Sequence, residues 1–146
     1  MKATFIDISD AVVQTLNSAA LSKPITAARH YRPEFGLEEL SRLHVSVVPV
    51  QMQKELAGHS RTSRIVVLDI CVQNAVNPQN ISDVDNLMNL LEEIDAFLEF
   101  KELTAMPNAQ WMKSEMVHGA EAGYAPEHLD TLNCFTGILR LTYKIR

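Results

Sequence analysis

The sequence predicts a single α+β domain over residues 1–146, in which two main helices pack on one face of an antiparallel or mixed four- to five-stranded sheet. Two segments repeat apolar residues at three- and four-residue spacing, which is typical of amphipathic helices. Several other segments alternate apolar and polar residues, which is typical of half-buried strands. The 146 residues, 47% of them hydrophobic, are enough for the core of one domain of ordinary size.

The first helix is predicted from Asp7 to about Ser22. Asp7 suits the N-cap position, because its carboxylate accepts the backbone N–H groups that a first turn leaves open. Pro24 cannot continue a helix, so the segment ends before it. The apolar stripe of this helix consists of Ile8, Val12, Leu16, Ala19 and Ala20.

Three period-two segments follow this helix. Residues 25–32 fit a short strand, and residues 43–47 alternate with Leu43, Val45 and Val47 on one side. Pro49 predicts that this second strand is an edge or bends there, because proline donates no hydrogen bond to a sheet. Residues 64–73 form the next predicted strand, whose two faces are Val66, Leu68, Ile70 and Val72 against Val67, Asp69, Cys71 and Gln73.

The polar segment at 51–64 between these strands is expected to be an extended, mobile hairpin loop, because it is too long for a tight turn. Its basic residues contrast with the acidic chain as a whole. These residues allow two interpretations, a solvated loop or a binding surface. The candidate contact residues are His59, Arg61 and Arg64.

The longest helix is predicted to begin at Ser82, where Asp85 stands three residues on, as in a capping box. Its apolar stripe contains Leu87, Leu91, Ile94 and Leu98. The outer face is strongly acidic, which fits either a solvated surface or one half of an electrostatic contact. The candidate contact residues there are Glu92, Glu93, Asp95 and Glu99.

Two strands are predicted in the last third of the chain, at 111–119 and 135–146, with a turn-rich segment between them. The last strand alternates most clearly. One face carries Leu139, Leu141, Tyr143 and Ile145, and the other carries Ile138, Arg140, Thr142, Lys144 and Arg146. That second face is basic, so one subunit is expected to present patches of opposite charge.

The charge balance argues against two classes of partner. Thirteen basic and eighteen acidic residues give a formal net charge of −5. Proteins that bind nucleic acid or anionic membranes generally show the opposite balance. No segment approaches the ~20 apolar residues of a membrane span, and Asp7 and Asp10 interrupt any secretory leader. We therefore expect no nucleic-acid recognition and no membrane partner.

The sequence also offers no recognisable catalytic, cofactor or metal motif. Its five histidines and two cysteines show no zinc-ligand spacing, and its five glycines are too scattered for a phosphate-binding loop. No G-x-S-x-G nucleophile elbow is present. Cys71 and Cys134 adjoin apolar runs, which favours buried thiols. The expectation is a protein that is not an enzyme and binds no metal or cofactor.

Several short segments of the sequence resemble those of a family of tailed-phage and prophage proteins. These include Arg32-Pro33-Glu34-Phe35, Leu37-Glu38-Glu39-Leu40 and Tyr124-Ala125-Pro126-Glu127-His128-Leu129, within an order of segments that covers roughly residues 5–146. The chain is similar to the small tail-terminator or tail-completion proteins of long-tailed phages, which are encoded among the head–tail joining genes. None of these motifs is catalytic.

This resemblance implies a virion protein of the tail or neck that is made in the bacterial host cytoplasm. It implies a ring homo-oligomer, expected to be a hexamer, that stops growth of the tail tube. Its partners would be copies of itself, the tail-tube protein and the head-side connector protein. Three alternatives remain: another neck or minor tail protein, a small prophage-encoded binding protein without catalytic activity, or a small enzyme from the same prophage.

Overall fold

A computed structural model describes residues 3–31, 42–56, 58–77, 79–117 and 134–146. In these residues the chain forms two helices and five strands. They are α1 (Thr4–Asn17), β1 (Ala27–Arg29), β2 (His44–Leu56), β3 (Thr62–Ala75), α2 (Ile81–Leu98), β4 (Ala109–Val117) and β5 (Cys134–Ile145). The motifs at 32–40 and 124–129, which carry much of the family resemblance, lie outside the described residues.

The five strands form one mixed sheet in the order β1-β2-β3-β5-β4. β1 and β2 are parallel, and the other neighbouring pairs are antiparallel. Both helices contribute to a single hydrophobic core together with one face of the sheet. The predicted α+β class, with five strands and two helices packed against one sheet face, is therefore confirmed.

The centre of the core follows the register of β3 against β5. Val66, Leu68 and Ile70 stand opposite Tyr143, Leu141 and Leu139, and all six residues are fully buried. The alternation of the last strand is thus confirmed on its apolar side, because every second residue lies under the helices. From α2, the core receives Leu87, Leu90, Leu91, Ile94 and Leu98.

Both helices begin at residues that differ from the prediction, and α1 also ends earlier than predicted. α1 begins at Thr4 and ends at Asn17, so Asp7 lies in its first turn, where the helix dipole favours a carboxylate, and is not the N-cap. The helix ends before Pro24 because Ser18 bonds back to the Thr15 carbonyl through both its N–H and its hydroxyl. The N-cap of α2 is Asn80 rather than Ser82.

The prediction of a loop at 51–64 is wrong for most of that segment. β2 continues to Leu56 and β3 begins at Thr62, so the two strands form one long hairpin. Residues 51–56 pair with 62–67, which satisfies backbone groups on one side of the polar segment. The segment that contains His59 and Arg61 is only the end of this hairpin.

Pro49 is accommodated as the sequence predicts. The register between β2 and β3 shifts between Pro49 and Gln51, so Val50 is an extra residue in β2. β1 pairs with β2 only as far as Val47. Beyond that point, no strand in the described part of the chain occupies the outer side of β2, which is where a residue without an N–H is tolerated.

The side chain of Asn17 joins α1 to β1. Its Oδ1 accepts a hydrogen bond from the Ala27 N–H at 2.7 Å, and its Nδ2 donates to the Ala27 carbonyl at 3.2 Å. We expect Asn17→Ala to lower the free energy of unfolding by about 1–2 kcal/mol, because both backbone groups lose their partner. Denaturant unfolding checks this result.

Asn86→Ala provides the control, because Asn86 is exposed on α2. We expect no loss of stability there, since alanine favours a helix more than asparagine does. Equal losses in the two variants would contradict the proposed role of Asn17.

Candidate interaction surfaces

The basic residues predicted as contacts lie on the β2–β3 hairpin. His59 and Arg61 are exposed between the two strands, and Arg64 is half-buried within β3. Arg64 stands directly opposite Lys54 on β2. Like charges at opposite positions of neighbouring strands repel each other. Among the described residues, neither of these two cations has an acidic partner within ion-pair distance.

The four acidic residues predicted as contacts do not form one solvated face. Glu93 turns toward the segment between α1 and β1, where its Oε2 accepts hydrogen bonds from the Ser22 hydroxyl at 2.7 Å and the Ser22 N–H at 3.3 Å. Asp95 accepts a hydrogen bond at 2.5 Å from the hydroxyl of Ser114 on β4. These two carboxylates therefore join α2 to the rest of the domain.

Glu92 and Glu99 are exposed, and they lie three residues before and four residues after Asp95. Residues at this spacing share one side of a helix. Because Asp95 contacts β4, that side of α2 borders the outer strand of the sheet. We call Glu92, Asp95 and Glu99 the acidic stripe. The structure thus places the basic hairpin and the acidic stripe at opposite edges of one sheet.

The basic face predicted for the last strand is partly neutralised within the molecule. The Arg140 guanidinium donates two hydrogen bonds to the Asp69 carboxylate on β3, at 2.9 and 3.1 Å. This pairing raises the pKa of Arg140, and the charge of Glu115 on β4 acts in the same direction. Among the described residues, Arg140 is therefore a paired cation, unlike Lys54 and Arg64 on the hairpin.

Exposed apolar residues are the feature that the sequence prediction missed. Leu56 at the end of β2 is 82% exposed and Phe100 just after α2 is 80% exposed. Val50 and Met52 on β2 and Met112 on β4 are between 40% and 46% exposed. Four of these five residues lie on β2 and β4. A signal for two of those on β2 is in the sequence, because Met52 and Leu56 fall on the same side of a strand.

Phe100 and Trp111 form an apolar depression beside the beginning of β4. Phe100 has a positive φ of 56° and packs edge-on against Trp111, with ring centroids 4.7 Å apart. Left-handed backbone is uncommon for a bulky residue. The depression has a volume of about 470 Å³; Pro107 and Ala109 also line it, and polar side chains that include Arg146 form the rest of its wall. It is open and lies at the same edge as the acidic stripe.

The two cysteines are buried and unpaired, as predicted. Burial raises the pKa of the Cys71 thiol to about 12, and the negative charge of Asp69 adds to the effect. Burial also raises the pKa of Cys134. Both groups are therefore protonated thiols at neutral pH, which favours a packing role.

Within the described ranges, no group of three His, Cys, Asp or Glu side chains is arranged to hold a metal ion. His118 and His128 lie outside these ranges. Of the helices that the structure describes, neither has the length and apolar character to cross a membrane. No protein-family model matches the sequence, and a search of curated proteins gives no significant match.

Proposed function

We propose that this protein is a tail-terminator subunit of a long-tailed phage, which assembles into a ring at the head–tail junction and stops growth of the tail tube. The observation that supports self-assembly is the placement of unlike surfaces at the two edges of one sheet. The β2 edge carries unneutralised cations and exposed apolar side chains, and the β4 edge carries the acidic stripe and the apolar depression.

Unlike edges favour a head-to-tail contact between copies. In such a contact, one surface of a subunit binds a different surface of the next, and a closed ring forms when the rotation per subunit fits. The large exposed apolar residues, including Leu56 and Phe100, add to this argument. Large apolar side chains grouped on a surface are typical of protein contacts.

The role in the virion is supported by the family resemblance of the sequence. On that basis, the ring is a hexamer whose two sides contact the tail-tube protein and the head-side connector protein. The protein itself is made in the host cytoplasm and is then part of the neck of the particle. This role requires binding surfaces and no catalytic centre.

Two measurements test the proposal. Sedimentation velocity over a concentration series is expected to show a transition from monomer to a single ring-sized species. In a phage that lacks this gene, electron microscopy is expected to show overlong tails without heads, because nothing stops tube polymerisation. A monomer at every concentration would contradict the ring. Tails of normal length would contradict the terminator role and favour another neck protein.

The acidic stripe allows a test in which stability and assembly respond differently. Glu99 follows the last residue of α2, so Glu99→Lys is expected to raise the free energy of unfolding slightly, by about 0.5 kcal/mol, through the helix dipole. The same change is expected to weaken ring formation about tenfold at low salt, because it places a cation where a basic hairpin binds. Sedimentation and thermal unfolding measure the two effects.

Asp7→Lys is the matched control. It makes the same change of charge at an exposed position on α1, at the other helix of the domain. We expect it to leave the assembly constant unchanged. A similar loss of assembly in both variants would show that net charge, and not the stripe, controls association.

A further inference from the structure

Beyond Val47, β2 forms one edge of the sheet among the described strands, and β4 forms the other. Residues 51–56 of β2 are all exposed, and among the described strands none pairs with them on the side away from β3. β4 is the last strand of the sheet, and its Gln110, Met112, Lys113 and Glu115 are exposed. Free strand edges of this kind pair readily with another chain.

The directions of the two edges fit a head-to-tail contact. β2, β3, β5 and β4 are each antiparallel to the neighbour that follows in the sheet, so β2 and β4 run in opposite directions. When copies are related by rotation about an axis against which the strands are tilted, as in a barrel, the β2 edge of one copy meets the β4 edge of the next in antiparallel orientation, with a stagger between copies. The helices of both copies then lie on the same side of the sheet.

The backbone groups on the β2 edge are set by hydrogen bonding to β1. The Val47 carbonyl accepts a hydrogen bond from the His30 N–H at 3.0 Å, so Val47 directs its backbone groups away from β3. Backbone groups alternate between the two sides of a strand. On β3, which has no extra residue here, the partners of Val47, Met52 and Lys54 are residues 70, 66 and 64. These partners are separated by even numbers of positions. Met52 and Lys54 therefore also direct their N–H and C=O groups outward.

The same reasoning applies to β4. The Asn108 carbonyl accepts a hydrogen bond from the Arg146 N–H at 3.3 Å, so Asn108 directs its carbonyl toward β5. Ser114 and Met116 stand opposite residues 141 and 139 of β5, which are an odd number of positions away from Arg146. Their backbone groups therefore point away from β5. Met52 and Met116 also share the helix side of the sheet, because their partners Val66 and Leu139 are both core residues.

One register satisfies side chains and backbone together. With Met52 opposite Met116, Lys54 stands opposite Ser114, whose hydroxyl bonds to Asp95 of the acidic stripe. Glu55 then stands opposite Lys113, so charges of opposite sign meet on the other side of the sheet. Lys54, which repels Arg64 within its own chain, gains an acidic environment in the neighbouring copy. Leu56 reaches the beginning of β4, beside the depression that Phe100 and Trp111 line.

We infer that a second copy of this chain binds by strand addition. Residues 51–56 of β2 pair antiparallel with residues 112–117 of β4 in the next copy, in the register Met52–Met116, and Leu56 packs against Phe100 and Trp111. The inference rests on the proposed function, because it supplies the contact that joins the ring. Backbone hydrogen bonds give the contact its affinity, and the charge and apolar pairs set its register.

Disulfide trapping with two separate variants tests this contact. Glu55→Cys and Lys113→Cys are mixed in equal amounts and oxidised, and the products are separated by non-reducing electrophoresis. In the inferred register, these two residues form a non-hydrogen-bonded pair with Cα atoms about 4.5 Å apart, which suits a disulfide. A cross-linked dimer is expected in the mixture and in neither variant alone.

A bridge within one chain is excluded by the order of the strands. β3 and β5 separate Glu55 from Lys113, so the two Cα atoms are at least about 14 Å apart in a single molecule. A chain that carries both Glu55→Cys and Lys113→Cys is therefore expected to give a series of covalently linked oligomers on the gel. Glu55→Cys mixed with Glu115→Cys is the register control, since the partner is shifted by two residues. We expect at least about fivefold less cross-linking there. The unmodified chain, with buried Cys71 and Cys134, gives the background.

Three outcomes overturn the inference. Cross-linking of Glu55→Cys with itself would show a two-fold contact between like edges. Equal yields with Lys113→Cys and Glu115→Cys would show that the register is wrong. A lack of cross-linking, while the native chain still sediments as a ring, would reject strand addition and leave the proposed function standing. A native chain that stays monomeric would reject both.

Discussion

Replacing Leu91 with alanine is expected to lower the free energy of unfolding by about 2–5 kcal/mol. Leu91 is fully buried, and it belongs to the stripe of α2 that packs on β5. Its removal leaves a cavity between helix and sheet, because the rigid strand cannot move to fill the space. Urea unfolding followed by circular dichroism measures the loss, and a shifted midpoint with an unchanged slope indicates that the fold is retained.

Leu56→Ala is the control for this substitution. The same atoms are removed, but Leu56 is 82% exposed at the end of the hairpin. We expect a change in stability within about 0.5 kcal/mol. Leu56→Ala is instead expected to weaken ring formation, whereas Leu91→Ala affects assembly only through loss of the fold. A large loss of stability in Leu56→Ala would contradict the exposed position of the hairpin end.

Replacing Gly137 with valine is expected to destabilise the protein by about 3 kcal/mol. A Cβ atom at this position would lie 2.9 Å from Cδ2 of Leu91 and 2.9 Å from Cε1 of Phe135. Both neighbours are fully buried, so the added methyl groups push α2 away from β5. Thermal unfolding measures the effect. Gly137→Ala, which adds Cβ alone, is expected to cost less.

A double-mutant cycle tests whether Gly137 and Leu91 interact as described. In Leu91→Ala the atom that a Cβ at position 137 would approach is gone, so Gly137→Ala should cost less in that background. We expect the two losses to fall short of additivity by about 1 kcal/mol. The cost of Gly137→Ala is reduced only in part, because the ring of Phe135 is as close to the added Cβ atom as Leu91 is. Strict additivity would show that the helix does not approach the strand at this glycine.

The sequence predicts the elements of the fold well and their ends less well. The period of Leu139, Leu141 and Tyr143 defines a strand face because each of these residues is buried beneath a helix. The apolar spacing predicts an end of α1 that is too late, because the alanines near position 20 fit that spacing. The tertiary contact that holds the real end, Asn17 bonded to Ala27, joins residues from different elements. Such a contact has no periodic signal.

The error at 51–64 has a different cause. A polar composition favours a loop, and the extended hairpin depends on pairing with β3, which is itself held by β5. Tertiary pairing thus overrides local composition. The acidic candidates show the same limit. Spacing placed Glu92, Glu93, Asp95 and Glu99 on one helix, but which carboxylates bond to Ser22 and Ser114 depends on where those serines lie in the fold.

The extra residues in β2 and β4 affect the shape of the whole sheet. Val50 in β2 and Met112 in β4 have no counterparts in the partner strands, and no register shift interrupts β3 against β5. An extra residue bends a strand and increases its twist. The curvature of the sheet is therefore fixed at its margins, while the centre stays regular. If subunits join through these margins, the two insertions help to determine the angle between successive copies, and hence how many complete a circle.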